Sequence, residues 1–278
     1  MTYKQKRKLA AVFWGILLVF MFILCVYPIV WMFLGSFKDS GEFYTNIWGI
    51  SSSPQFINYV NAWKEGELGQ KFINSLLITG GSLLVIIPVN CCAAYAIARL
   101  RFRYRAAIYT LLLLGIMIPS GVLGIPTFTV AMKLGLLNSR IGLILIYAAQ
   151  SIAMGVFIMR AFFISLPKEL EEAAMIDGCS RFGSFVRVIL PLTKAGIMTQ
   201  VIFNGLTIWN EYFMANIMIT KPEMKTLPLA IASFTSKHTT NYPTLFAALS
   251  IVTLPVILIF VLAQKSFIEG MSAGSIKG

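Results

Sequence analysis

Histidine occurs once in this 278-residue chain, at His238, and cysteine only four times. A histidine-based metal site or a Ser-His-Asp triad therefore has too few parts. Cys25, the adjacent Cys91 and Cys92, and Cys179 show no metal-ligand spacing, and the first three lie inside apolar runs, so all read as small core residues. Charge is scarce too. Asp, Glu, Lys and Arg make up 12% of the chain against 58% hydrophobic residues, with a mean hydropathy of +0.79. Soluble domains are rarely so poor in charge. Low-complexity tracts and clear internal repeats are also missing.

In their place stand six apolar stretches: Leu9 to Leu34, Phe72 to Ala98, Ala106 to Ala131, Ile141 to Phe163, Ala195 to Thr220 and Tyr242 to Gln264. Each reaches about 18 residues or more, enough at about 1.5 Å per residue to approach the hydrocarbon thickness of a bilayer. The fold class is all-α, a polytopic membrane protein with six transmembrane helices. The first stretch follows "KQKRK" as a signal peptide would, but it is too long and has no small-residue cleavage site, so it reads as a membrane helix.

The net charge of +12 is better explained by topology than by nucleic acid, which is not expected as a partner. With the amino terminus inside, fifteen of the 23 basic residues fall in inner segments, in "KQKRK", "RLRFRYR", Arg160 to Lys194, Lys265 and Lys277. Both termini are expected in the cytoplasm, with the arginines at 99, 101, 103 and 105 in a topogenic turn near anionic headgroups.

The expected organisation is a first helix and external loop (1–71), a core of five helices (72–264) containing a cytoplasmic loop (164–194), and a tail (265–278). The external loop, Gly35 to Lys71, is rich in Pro, Ser, Asn and aromatics, which suits an ordered surface. "IPSGVLGIPTF" interrupts the third apolar segment. It reads either as a break inside the membrane or as a helix ending near Pro119, with a short helix following through "FTVAMKLGLLN". The tail "EGMSAGSIKG" reads as irregular.

Four of the chain's 11 acidic residues crowd into "ELEEAAMIDG", Glu169 to Gly178. Pro167 suits a first helical turn, the acids at 169, 171 and 172 suit the positive end of a helix dipole, and Gly178 suits a terminator. Ser180 can cap a second helix that Pro191 ends or kinks. Leu170, Ala173 and Ala174 share one face, and Phe182, Phe185, Val186 and Ile189 recur at helical spacing. On composition alone this is equally a solvated loop with a charge run.

The spacing of the loop resembles the EAA motif of ABC importer permeases. Glu172, Ala173 and Ala174 are followed three residues later by Gly178, and after nine more by Val188, Leu190 and Pro191, with Val in the place of the usual Ile. "IPTFTVAMKLGLLNS", "TIWNEYFMANIMI", "KTLPLAIASF" and "GMSAGSIKG" extend the resemblance to the carbohydrate-uptake branch, from about Ile73 onward. The resemblance implies a type I ABC importer permease fold in the bacterial plasma membrane. It implies a non-catalytic subunit that works with a second homologous permease, two ATPase subunits and an extracytoplasmic sugar-binding protein. ATP and Mg would sit on the ATPase, with no cofactor on this chain. Glu172, Ala173, Ala174, Asp177, Gly178 and Pro191 are the implied ATPase-coupling residues.

A second candidate site is "WNEYF" in the fifth apolar segment, where Glu211 is an ionisable group near mid-membrane. Such groups usually face a bundle interior or a pathway. Seven residues earlier, Asn204 is expected on the same helix face. Asn204, Trp209, Asn210 and Glu211 suit sugar recognition through amides, a carboxylate and a stacking ring, and equally suit an interhelical hydrogen-bond network. Asn90 and Gln150 read as polar glue between helices. Rival readings are an ABC permease for a non-sugar solute and a secondary transporter. The latter would need more intramembrane acids than Glu211, and a membrane enzyme would need a nucleophile-base pair that the chain lacks.

Overall fold

The apolar segments fold as helices, and local chemistry decides where each starts and stops. The structure, a computed structural model, describes residues 3–119, 121–235 and 240–275, so His238 and Lys277 lie outside it. Helix α1 (Tyr3–Gly35) is followed by α2 (Ser40–Thr45) and α3 (Ile57–Glu65), then α4 (Leu68–Arg99), α5 (Arg105–Ile116), α6 (Gly124–Lys133) and α7 (Arg140–Ser165). The charged loop holds α8 (Glu169–Ile176), α9 (Arg181–Ser184), a π-helical turn (Phe185–Ile189) and α10 (Leu190–Leu192). Then come α11 (Lys194–Trp209), α12 (Phe213–Met218), a 3₁₀ turn (Pro222–Met224), α13 (Leu227–Ser233) and α14 (Tyr242–Ser275).

Among the described residues, three helices are long and apolar enough to cross a membrane: Ala11–Gly35 within α1, α4, and α7. Two of the other expected spans differ from unbroken helices. The third splits at Pro119 and Gly121 into α5 and α6, which matches the reading of a helix ending near Pro119 with a short helix after it. The fifth splits after Trp209 into α11 and α12, so the "WNEYF" segment sits in a break, and the expected shared face of Asn204 and Glu211 does not form. The sixth expected span, Tyr242 to Gln264, lies within a single helix, α14. The tail is helical to Ser275 rather than irregular, because no proline interrupts it.

Caps explain the starts. Asp39 Oδ1 accepts from the N–H groups of Gly41 (2.7 Å) and Glu42 (2.9 Å) at the start of α2. Ser139 Oγ accepts from Gly142 N–H (3.3 Å) at α7, whose last carbonyls meet Leu166 in an extended conformation, as the residue before Pro167 must be.

The chain forms two compact units, Met1–Leu68 with Ile231–Leu254, and Gly69–Ala230 with Pro255–Gly278. In the first, α1 is exposed along its apolar stretch, as a lipid-facing helix would be. The loop after it is ordered by a buried lysine. Lys38 is 1% exposed and donates to the carbonyls of Asn46 and Ile47, while Asn58 Nδ2 donates to those of Ser36 (2.9 Å) and Lys38 (2.8 Å). Trp31 Nε1 donates to Ile47 O at 2.9 Å. In the second unit, one apolar cluster joins α4, α7 and α12 through Ile86, Ile146, Tyr147 and Met214. Another gathers Tyr95, Met159, Phe163, Phe185 and Ile189 where the charged loop meets α4 and α7.

Candidate functional site

The charged loop folds as the expected helical pair. The N-terminal acids Glu169, Glu171 and Glu172 lie in the first turn of α8, where the dipole favours them. Gly178 then turns at φ +85°, a left-handed conformation that costs a residue with a Cβ about 1 to 2 kcal/mol. Ser180 caps the second half by accepting from Gly183 N–H at 3.1 Å. Pro191 has no N–H and its ring presses on the preceding turn. The chain accommodates it with a π turn, Leu190 N–H bonding to Phe185 O, and the helical run ending at Leu192 bends 73° into α11.

Burial divides the expected contact residues. Ala174 is 7% exposed, and α8 packs against the π turn, so Ala174 is used within the loop. Glu172, Ala173, Asp177 and Gly178 are exposed. Beside them Ile176 is 86% exposed, and Phe182, expected on the same apolar stripe as Phe185 and Ile189, is 71% exposed. Phe185 and Ile189 form that core at 4% and 0% exposure, each worth about 1.5 to 3 kcal/mol of burial.

Arg99, the last residue of α4, holds the loop in place. Its Nη2 donates to the carbonyls of Phe163 (2.6 Å) and Leu166 (2.7 Å), at the end of α7 where helix carbonyls lack partners. Its Nε lies 3.2 Å from Glu171 Oε1, with the two side chains 4% and 16% exposed. One turn earlier Tyr95 donates to Glu171 Oε2 (3.4 Å) and packs on Phe185, ring centroids 4.3 Å apart. Nothing in the linear spacing of Arg99 and Glu171 announces this pair.

The break between α11 and α12 is built by Glu211. Its carboxylate accepts from the N–H groups of Met214 (2.7 Å) and Ala215 (3.0 Å), capping α12, and from the hydroxyl of Tyr147 on α7 at 2.6 Å. Trp209 is 7% exposed against Phe72, with ring centroids 5.5 Å apart. Asn204 is 5% exposed and donates to Gln200 O at 3.0 Å. Asn210 alone of the four is exposed, and it donates to Leu206 O at 2.8 Å. The structure thus brings Glu211 together with Tyr147, not with Asn204.

A buried amide pair lies deeper in the unit. Asn90 Nδ2 donates to Gln200 Oε1 (3.0 Å), and Gln200 Nε2 donates to Gly155 O (2.7 Å), joining α4, α11 and α7. Asn90 acts as the expected glue, whereas Gln150 is exposed and Gln200 went unrecognised. At the other end of the unit, Asn138 at φ +53° accepts from the N–H groups of Thr220 (2.7 Å) and Lys221 (3.0 Å). Asn74 Nδ2 donates to the carbonyls of Glu223 and Lys225, both at 2.9 Å, while its Oδ1 accepts from Arg140 at 2.8 Å.

Comparison with known proteins places this architecture. Residues 90–272 match the family described as the binding-protein-dependent transport system inner membrane component. A probable ABC transporter permease protein, YurM of Bacillus subtilis (strain 168), is 34% identical over 94% of this chain and 87% of its own. The diacetylchitobiose uptake system permease protein NgcG of Streptomyces coelicolor (strain ATCC BAA-471 / A3(2) / M145) is 32% identical over 98% of this chain and 90% of its own. A solved chain from a bacterial ABC transporter involved in the import of the acidic polysaccharide alginate shares the fold, with a TM-score of 0.83 at 21% identity, covering 96% of this chain and 99% of that one. The chain therefore belongs to the family of binding-protein-dependent transport system inner membrane components, as an ABC transporter permease.

Proposed function

We propose that this permease forms half of the translocation pathway of an ATP-driven importer of sugars, in the oligosaccharide range, and couples that pathway to a cytoplasmic ATPase through α8. The observation that carries the coupling reading is the surface of α8. Glu172, Ala173, Ile176 and Asp177 are exposed on a short helix whose base is anchored by Arg99. Small and apolar groups at a contact with charges around it suit docking onto another protein, because little desolvation opposes it. Gly178 sets the angle of the pair, and Pro191 sets the bend into α11. Ala174 supports the loop from within rather than touching the ATPase.

The cargo reading rests on the relative named for diacetylchitobiose uptake and on the sugar-branch segments of the sequence. Along the pathway Asn210 is the exposed amide, while Asn204, Trp209 and Glu211 shape the helix break behind it. The partners are a second homologous permease, two ATPase subunits that bind ATP and Mg and carry out hydrolysis, and an extracytoplasmic sugar-binding protein. Both termini face the cytoplasm, on the side where basic residues collect.

The test is reconstitution of the complex in vesicles, with uptake of labelled di- and trisaccharides measured beside phosphate release. Uptake should require the ATPase subunits and ATP. Gly178→Pro and Ala173→Trp should abolish it while the membrane helices remain folded by circular dichroism. Accumulation without any ATPase subunit would overturn the reading.

A further inference from the structure

We propose that the Arg99–Glu171 pair is the strut through which movement of α8 is delivered to α4 and α7. The proposal rests on the docking role of α8 given above and assigns the internal link that such a role requires.

Two kinds of contact join the loop to the membrane helices. The first is apolar, with Phe185 and Ile189 seated among Tyr95, Met159 and Phe163. Such contacts are non-directional, so a loop held by them alone can slide under load. The second is directional. One guanidinium on the final residue of α4 donates hydrogen bonds to two carbonyls at the end of α7, at 2.6 and 2.7 Å, while its Nε meets Glu171 Oε1 at 3.2 Å as an ionic contact outside hydrogen-bond alignment. The planar fork holds the α7 carbonyls in a fixed geometry that lysine cannot reproduce, and keeps the positive charge beside Glu171.

Burial strengthens the link. With side chains 4% and 16% exposed, the pair is poorly screened by salt, and pulling it apart would leave a charge without a partner. Tyr95 holds the second carboxylate oxygen from the same helix, 3.4 Å away. Glu171 cannot shift along α4 without losing the Tyr95 hydrogen bond and the Arg99 ionic contact. The neighbouring acid Glu169 is exposed and has no such anchor in the hydrogen bonds of the loop. Arg99 and Glu171 are thus positioning residues for transport, acting through helix placement rather than on the cargo.

The experiment uses the full reconstituted complex and compares phosphate release with uptake of the labelled oligosaccharide that wild-type vesicles accumulate. Glu171→Gln, which keeps shape and removes charge, should leave hydrolysis and subunit assembly near wild type but lower uptake per ATP about tenfold, within the usual range of coupling effects. Glu171→Asp should recover much of the ratio. Arg99→Lys should fall between, and Glu169→Gln should match wild type. Two results would overturn the proposal. One is an unchanged ratio in Glu171→Gln. The other is loss of assembly, hydrolysis and uptake in equal proportion, with Asp no better than Gln, which would make the pair a packing element. An Ala173→Trp complex with normal ATPase association and uptake would instead overturn the docking reading itself, whatever Glu171→Gln does.

Discussion

The hydroxyl of Tyr147 donates to Glu211 Oε2 at 2.6 Å, linking the N-terminal third of α7 to the break between α11 and α12. The same carboxylate caps α12 through two backbone N–H groups, so a residue that looks like a pathway acid is committed to holding a discontinuous helix together. Glu211→Ala leaves those donors without partners and should lower stability by about 1 to 3 kcal/mol. Tyr147→Phe should cost less. Thermal unfolding of the purified protein in detergent would check both, and the double variant should be less than additive, since the pair shares one bond. Strict additivity would mean that the two side chains do not interact.

Gly155 and Asn90 are in closer contact than any side chain would permit. A Cβ at 155 would lie 1.8 Å from Asn90 Nδ2, so Gly155→Ala must displace the Asn90–Gln200 amide pair. Gln200→Leu removes the same pair by deleting its amide, and interhelical hydrogen bonds within membranes average only about 0.6 kcal/mol. The alanine variant should therefore melt at the lower temperature of the two. The reverse order in a thermal-shift series would show that the amide network outweighs the close approach.

At Gly178 a substituted Cβ meets nothing within 4 Å, so the cost of a side chain is conformational alone. With φ at +85°, Gly178→Asn should be tolerated better than Gly178→Ala, because asparagine visits the left-handed region more readily. The rank order Gly, Asn, Ala should appear in ATPase association measured by co-purification. Equal association in all three would separate the turn from docking.

Acid should loosen the segment after α1. Ser51 Oγ donates to Glu42 Oε2 at 2.6 Å and Ser52 N–H to Oε1 at 2.9 Å, which together hold the carboxyl below its ordinary value. A depressed folded value means that this tether is fully present above the unfolded value and is lost as pH falls through the folded one. Fluorescence of Trp48, 70% exposed on the same segment, should change over that acid range in the wild type and lose the step in Glu42→Gln. An identical titration in both would detach the signal from Glu42.

Much of this protein is legible in linear order. Apolar run length announces the membrane helices, and the paucity of charge concentrates attention on the one loop where acids gather. Pro119 and Gly121 mark a real break, Ser180 a real cap, and Gly178 a real turn, since these depend on local backbone chemistry that neighbours along the chain supply. The break at "WNEYF" has no proline or glycine to signal it. A helix period carried through Trp209 to Phe213 therefore put Asn204 and Glu211 on one face, whereas Glu211 turns back to cap α12.

What the sequence by itself determined is the class of molecule, the boundaries that proline, glycine and capping serine impose, and the family, because composition and spacing are properties of linear order. What only tertiary structure decided is which groups meet. Arg99 and Glu171 are 72 positions apart and Asn90 and Gln200 are 110, so no periodicity relates them. Their pairing follows from helices that side-chain packing brings together, where a buried charge or amide must find its partner or leave its burial uncompensated. Ala173 and Ala174 show the same division at the smallest scale. They are adjacent and identical in chemistry, yet one is exposed and the other is buried at 7% exposure, because a helix turns about 100° per residue and sets neighbours on different faces.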